Sequence, residues 1–197
     1  MPGVETGEKP RIAPGDRHQI GIVNHAFAKL AGLATGGPPP NVFTTLARNP
    51  KLFRRWLWFA GGLMPGGKLP RRDTELVILR VAHNAGCAYE WGHHEHLGRR
   101  AGLGAEEVER IREGADAPGW SPRQALLLRA ADELHADGRI GDPLWAGLSA
   151  ELDERLLIEL CLLIGHYEML AMTLNTLRVQ PDPAPLGRRL PRWLSRA

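Results

Sequence analysis

The stretch Arg72–Leu103 decides the fold and carries the most informative chemistry of the chain: RDTELVILRVAHNAGCAYEWGHHEHLGRRAGL. An apolar run is followed by a break at residues 84–86, and a second helical pattern starts at Cys87. An α-helix advances roughly 100° per residue, so Cys87, Glu90 and His94 lie within about 60° of one another on one helix face. The sequence therefore predicts that a thiol, a carboxylate and an imidazole converge after the break.

These side chains can exchange protons. At a helix N-terminus Cys87 is close to unpaired backbone amides and to the positive end of the helix dipole, and both favour the thiolate. A histidine such as His94 can accept or donate a proton near neutral pH, and Glu90 lies between Cys87 and His94 in the sequence. Glu75 reaches the group only if the chain folds back at residues 84–86. We predict one site from these four residues, although each alone is also typical of a core or surface position.

Helical patterns alternate with helix-stop signals along the rest of the chain, and no stretch shows a convincing strand pattern. The predicted fold class is therefore all-α. The predicted helices begin near Gln19, Asn41, Pro50, Asp73 or Thr74, Cys87, Ala105, Ser121, Asp142 and Asp153.

The chain of 197 residues is long enough for one domain with a substantial core. We predict a flexible N-terminal arm at 1–18, a single helical domain at 19–179 and a Pro/Arg-rich tail at 180–197. The segment DTELVILRVAHNAGCAYEW partly recurs as DERLLIELCLLIGHYEM, with Tyr167-Glu168 in the place of Tyr89-Glu90. Either an internal helical duplication or ordinary helix composition explains this recurrence.

Composition narrows the class of protein. The hydrophobic fraction of 43% and the charged fraction of 24% are those of an ordinary globular protein, and the net charge is only +3. No nucleic-acid-binding signature is present, so no nucleic-acid partner is predicted. Because neither a signal-peptide core nor an apolar run of membrane-spanning length is found, we expect a cytoplasmic protein without membrane contact. Its two cysteines, Cys87 and Cys161, are expected to be reduced there.

The pattern Glu-x11-Cys-x2-Glu-x3-His, embedded in ELVILRVAHNAGCAYEWGHH, resembles the carboxymuconolactone decarboxylase family, which includes the alkylhydroperoxidase D-like proteins. Those proteins carry Glu, then Cys-x-x-Cys, then His at the same spacings. The resemblance is strong over about 69–112 and weaker over 41–179. It implies an AhpD-like helical bundle and homo-oligomers, commonly dimers, trimers or hexamers. By position it implies a relay glutamate at Glu75, the first cysteine at Cys87 and a relay histidine at His94.

Glu90 occupies the place of the second cysteine. In the peroxidase members that thiol attacks the peroxide and the first cysteine resolves it as a disulfide. A carboxylate can do neither, so a two-cysteine peroxidase is not expected. A one-cysteine peroxidase, in which an outside thiol resolves Cys87, remains an alternative.

The decarboxylase side of the family implies a reaction without a cofactor, in which an unsaturated lactone loses a carboxylate and a carbon atom receives a proton. This chemistry needs a cation or a hydrogen-bond donor for the substrate carboxylate and an acid for the incipient carbanion. We expect His94 to donate the proton, with Glu75 or Glu90 as its relay partner. Arg80 or Arg72 is expected to bind the substrate carboxylate.

Two other interpretations, a metal site and a non-catalytic protein, fit parts of the sequence. Glu90 and His94 have the i, i+4 spacing of half a helical carboxylate–histidine metal site, but no second motif matches it, so no metal is predicted. The chain is also consistent with a non-catalytic helical oligomer that binds a small ligand. Tyr89 is expected to shape the pocket or a subunit contact.

Overall fold

The structure is a computed structural model that describes residues 9–182. Within them the chain is helical and contains no strand, which confirms the all-α prediction. Residues 1–8 of the predicted arm and residues 183–197 of the predicted tail lie outside the described residues. The helices are α1 (Arg17–Ile20), α2 (Ile22–Thr35), α3 (Asn41–Leu46), α4 (Pro50–Leu63), α5 (Arg71–Asn84), α6 (Ala88–Arg100), α7 (Ala105–Glu113), α8 (Pro122–Asp137), α9 (Asp142–Glu151) and α10 (Glu154–Leu177).

Several helix ends follow directly from local sequence signals. The Ser121 hydroxyl accepts from the Gln124 amide at 3.2 Å, and the Gln124 side chain accepts from the Ser121 amide at 2.9 Å. This reciprocal cap, with Pro122 at the first helical position, starts α8 as predicted. Gly138 ends α8 in the left-handed conformation, with φ 68°. The Asp153 carboxylate likewise caps α10.

Two predicted boundaries are wrong. The first predicted helix is divided into α1 and α2 at Gly21, whose φ of 81° takes the backbone out of the helical region. Helix α5 begins at Arg71, two residues before the predicted cap, because Pro70 precedes it and the Pro70 carbonyl accepts from the Thr74 amide at 3.0 Å. Glu75 therefore lies outside the first turn of α5.

The described residues fall into two compact units. One comprises 9–59 and 176–182, and its core is aromatic: the rings of Phe53 and Trp56 stack with centroids 5.9 Å apart, and Phe43 lies 6.1 Å from each of them. The buried residues of this core are Ile20, Ala47 and Phe53. The division into arm, single domain and tail stays a prediction.

The second unit, Ala60–Asn175, surrounds helix α5. Helices α6, α7 and α8 all contact α5, which is therefore the central helix of this unit. One of its core clusters consists of Leu76, Leu79, Ala82, Trp91, Leu103, Val108, Ile111, Ala115 and Leu128. Because α5 is buried on most sides, any polar residue that it carries in mid-helix must find its partners inside the protein.

Helix α10 is longer and more apolar than we expected of any segment from the sequence. It has 24 residues and is the one described helix that is long and apolar enough to cross a membrane, so the statement that no run reaches that length is wrong. Half of its most apolar window is buried inside the protein, and core helices of soluble proteins share this length and composition. Length and composition are thus weak evidence for a membrane span.

Glu159 on α10 fixes the segment that leads into α5. Its carboxylate accepts from the backbone amides of Lys68 at 2.8 Å and Leu69 at 2.9 Å. A Cβ at Gly67 would collide with the same carboxylate. This contact places the start of α5, and hence Glu75, relative to α10.

Replacement of Glu159 by alanine is expected to destabilise the protein. The change leaves two backbone amides without their acceptor, which typically costs about 1–3 kcal/mol of unfolding free energy. Urea unfolding followed by circular dichroism measures this loss. Arg155→Ala, at an exposed position of the same helix, is the control and should stay within about 0.5 kcal/mol of the parent. Equal stability of the two variants would contradict the role given to Glu159.

Candidate active site

The centre of the candidate site is a carboxylate–imidazole pair. Glu75 Oε2 lies 2.7 Å from His94 Nδ1, and both residues are buried, Glu75 completely. Glu75 belongs to α5 and His94 to α6. The chain reverses between these helices at Gly86, whose φ of 59° favours glycine, so the predicted fold-back at residues 84–86 is observed. This reversal brings two residues 19 positions apart into contact.

Cys87 and Glu90 form a second buried pair. Cys87 is the N-cap residue of α6 and is 1% exposed, while Glu90 in the first turn is 2% exposed. The thiol of Cys87 and the carboxyl of Glu90 interact through their side chains. Neither Glu90 oxygen has a partner in good hydrogen-bond geometry among the described residues, so this thiol contact is a weak one.

Tyr167 of α10 lies next to both pairs. Its ring meets the His94 ring edge to face, with centroids 5.0 Å apart. Burial raises the pKa of the Tyr167 hydroxyl above its usual range, and the negative charges of Glu75 and Glu90 act in the same direction. The structure therefore brings the four predicted residues together around a tyrosine that the site prediction did not include.

The predicted activation of Cys87 is wrong. Burial, followed by the negative charge of Glu90, raises the pKa of the Cys87 thiol to about 12. The backbone amides of Glu90 and Tyr89 oppose this shift, as expected at a helix N-terminus, but their effect is smaller. Loss of water around the thiol thus outweighs the helix terminus, and the protonated thiol prevails at neutral pH.

Glu90 is an acid that keeps its proton at neutral pH. Burial raises its pKa from 4.5 to about 8, and the negative charge of Glu168 adds to the rise. The Cys87 thiol lowers the pKa, but by less. A protonated carboxylic acid inside a buried cluster has the form that a general acid needs.

The guanidinium of Arg71 contacts the Glu75–His94 pair through Glu75. Its Nη2 lies 3.0 Å from Glu75 Oε1 without good hydrogen-bond alignment, and its side chain is 42% exposed. The i, i+4 spacing of Arg71 and Glu75 on one helix is visible in the sequence, but the prediction considered other arginines. Arg72, one of these, pairs instead with Glu107.

The contacts of Arg80 are structural. Its Nε donates to Asp132 Oδ1 at 2.6 Å, and its Nη1 donates to the Ile111 carbonyl at 2.8 Å. The guanidinium therefore ties α5 to α7 and α8. A role for Arg80 in binding substrate stays a prediction that these contacts do not support. Tyr89 is buried and stacks on His93, with centroids 6.3 Å apart, and its part in shaping a pocket also stays a prediction.

The histidines around the pair are neutral near physiological pH. Burial lowers the pKa of His93 to about 4 and that of His166 to about 4, and His94 adds to both shifts. Among residues 9–182, no group of three or more His, Cys, Asp or Glu side chains is arranged to hold a metal ion.

Comparison with known proteins places this cluster in a family. Residues 50–133 match the model of the Carboxymuconolactone decarboxylase family. Over these residues the chain is similar to this family, and the match supports the resemblance to the carboxymuconolactone decarboxylase and AhpD-like superfamily. The matched segment contains all four residues on which the resemblance was based, so that recognition is confirmed. No curated protein matches the chain significantly by sequence.

Several solved structures share the fold of this chain. An uncharacterized peroxidase-related protein from Silicibacter sp. is 16% identical and has a TM-score of 0.78, with 94% of this chain and 99% of that one covered. The alkylhydroperoxidase AhpD core protein from Ralstonia eutropha is 19% identical, with a TM-score of 0.72 and coverages of 82% and 86%.

A third similar structure is that of the debrominase Bmp8, as a Cys-to-Ala variant in complex with 2,3,4-tribromopyrrole. It is 16% identical and has a TM-score of 0.74, with 88% of this chain and 92% of that one covered. At such identities the likeness of all three structures shows a common fold and leaves the activity of this chain open.

The raised pKa of Cys87 predicts slow alkylation of the native protein. With Cys161 replaced by serine, iodoacetamide should modify Cys87 at neutral pH about tenfold or more slowly than it does in the urea-unfolded chain, because the thiolate is scarce and buried. Mass spectrometry of timed samples measures both rates. A native rate equal to or above the unfolded rate would support the hypothesis that the helix terminus activates the Cys87 thiol.

The raised pKa of Glu90 predicts that stability falls with increasing pH. Because the folded protein holds this proton up to about pH 8, the contribution of Glu90 is fully present below 4.5 and is lost as pH rises to about 8. The loss is on the order of a few kcal/mol. The melting temperature of Glu90→Gln should therefore change less with pH across this range than that of the parent. The exposed Glu113→Gln should keep the parental slope, and a parental slope in Glu90→Gln would contradict the assignment.

Proposed function

We propose that this protein is a cofactor-free acid/base catalyst of the carboxymuconolactone decarboxylase type, acting on a small unsaturated carboxylic acid or lactone. The observation that carries the proposal is the buried hydrogen bond of 2.7 Å between Glu75 and His94. A carboxylate that is removed from water and held against an imidazole is typical of a histidine used to move protons. The pair also lies within the segment that matches the family.

Glu75 sets the chemical role of His94. An ionised carboxylate can only accept, so His94 Nδ1 carries the hydrogen toward Glu75, and Nε2 is left to exchange the reacting proton. The carboxylate also stabilises the imidazolium that forms when Nε2 is protonated. His94 is thus the proton donor to carbon, and the neutral Glu90 one turn earlier on α6 is a second acid.

In the proposed reaction the bond between the substrate carbon and its carboxylate breaks, and carbon dioxide leaves. The electron pair passes into the conjugated system, and His94 then protonates the carbon. The substrate carboxylate needs a cation that has free donors and reaches solvent. Arg71 fits this need better than Arg80, because it is 42% exposed and contacts the site pair.

The proposal also covers the oligomeric state, the location and the binding partners of the protein. We infer a cytoplasmic homo-oligomer, a dimer, trimer or hexamer, that binds a small molecule and neither nucleic acid nor a membrane. The family resemblance supports the oligomer, and the ordinary composition supports the rest.

Glu75→Gln and His94→Gln are expected to remove turnover while preserving the fold. Loss of a positioned proton donor or of its partner lowers kcat by about a hundredfold to ten-thousandfold. Carbon dioxide release from an unsaturated carboxy-lactone measures the activity, and circular dichroism checks the fold. His96→Gln, an exposed histidine of the same helix, should retain parental activity.

Full activity in either site variant would refute the proton-relay function. If neither the parent nor the variants turn over, but the parent binds such acids, the non-catalytic ligand-binding alternative is correct.

The buried thiol beside Glu90 favours a second candidate, a one-cysteine reduction. In it the Cys87 thiolate attacks a hydroperoxide, the O–O bond breaks, the alcohol leaves, and an outside thiol reduces the resulting sulfenic acid. The peroxidase-related neighbours support this candidate. The raised pKa of Cys87 weighs against it.

Peroxide consumption with an added thiol, measured for the parent and for Cys87→Ala, tests this second candidate. The candidate requires consumption by the parent and none by the variant. Consumption by Cys87→Ala at the parental rate would exclude it.

A further inference from the structure

The unit that holds the candidate site contains a second carboxylate–imidazole pair. Glu168 Oε1 of α10 lies 2.8 Å from His135 Nδ1 of α8. The same two kinds of atom meet at 2.7 Å in the Glu75–His94 pair. The environments differ, because the His135 side chain is 38% exposed and that of Glu168 is 13% exposed. The Glu75–His94 pair is buried, whereas in the second pair His135 is exposed and Glu168 is partly buried.

The partly buried carboxylate of this second pair is next in sequence to a residue of the candidate site. Glu168 directly follows Tyr167, whose ring packs on His94. Its negative charge acts on Glu90, which is 2% exposed and has no well-aligned hydrogen bond. Exposure thus falls from 38% for the His135 side chain to 13% for that of Glu168, which contacts it, and to 2% for Glu90, on which the charge of Glu168 acts.

The proposed reaction makes such a connection necessary. Each decarboxylation places one proton on a carbon atom, so one proton must enter the site for every turnover. His94 and Glu90, the two acids of the site, are both buried. A proton must therefore reach them through other side chains or through water.

We propose that His135 and Glu168 form the proton entry route that recharges Glu90 from solvent, an inference that rests on the proposed function. His135 takes a proton from water at Nε2 and passes its Nδ1 proton to Glu168. Glu168 then gives this proton to the Glu90 carboxylate and returns to its ionised form. The Glu90 carboxylate forms when Glu90 gives its own proton to Nε2 of His94 after each decarboxylation. His135 is left neutral as its Nε2–H tautomer and regains the Nδ1–H tautomer by proton exchange with water. The net change is one proton moved from solvent to His94.

The groups that act on this route come from three helices. Cys87 on α6 and Glu168 on α10 act on Glu90, and His135 on α8 acts on Glu168. Tyr167 holds its own proton well above the usual range and so does not compete for the transferred one. The route thus contains one exposed base, one partly buried carboxylate and one buried acid.

Hydrogen–deuterium exchange of the Glu90 carboxyl tests the route without any substrate. The protonated carboxyl gives an infrared C=O band that is identified by its absence in Glu90→Gln, and the band shifts when deuterium enters after mixing with D2O. We expect Glu168→Gln and His135→Gln to slow this shift by about tenfold or more, since each removes a proton carrier. Asp137→Asn, an exposed carboxylate at the end of α8, should exchange at the parental rate.

Added imidazole distinguishes a proton carrier from a structural residue. It should restore fast exchange in His135→Gln, because a small base in solution can replace the missing side chain at the surface. Parental exchange rates in both variants, or slow exchange that imidazole leaves unchanged in His135→Gln, would overturn the proposal. Glu168→Gln keeps the shape of the side chain, and circular dichroism of both variants confirms that they fold.

The result is separable from the proposed function. Slow exchange in the variants of a parent protein that turns over no carboxy-lactone establishes the route and refutes the decarboxylase. Parental exchange in variants of an active parent refutes the route alone.

Discussion

The completely buried carboxylate of Glu75 is the constraint on which the rest of the site depends. An ionised carboxylate without partners is too costly to bury, so α5 must present it to an imidazole on one side and a guanidinium on the other. His94 and Arg71 supply these groups. The central position of α5 and the reversal at Gly86 follow from the same need, since only a closely packed neighbouring helix brings an imidazole to mid-helix.

Burial also decides the chemistry of Cys87 and Glu90. A helix N-terminus lowers the pKa of a thiol by a local effect, and that effect is present here, but dehydration of the pair is larger. Both groups therefore hold their protons at neutral pH. A cluster that resembles a peroxidase by spacing has, with Glu90 in the second position, the protonation states of an acid catalyst.

Local interactions explain which features could be predicted from sequence. Helix starts such as Ser121, and the shared helix face of Cys87, Glu90 and His94, depend on neighbouring residues and were predicted correctly. The pKa of Cys87 was not, because it depends on how much protein surrounds the thiol. Tyr167 was missed because it reaches His94 only through the packing of α10, and the contact of Glu168 with His135 likewise depends on how α8 and α10 pack. The recurrence of Tyr-Glu was a sequence signal for Tyr167 and Glu168. It did not indicate where they lie, because α10 is one continuous helix whereas the corresponding α5–α6 segment is interrupted by the turn at Gly86.

The reversal at Gly86 has a consequence for folding. Glu75 and His94 are separated by only 19 positions, so closing the chain between them costs little entropy, and their contact requires just two adjacent helices. The pair between His135 and Glu168 spans 33 positions and requires two helices that α9 separates. The Glu75–His94 contact is thus a property of a local helical hairpin, whereas the His135–Glu168 contact requires α10 to pack against α8.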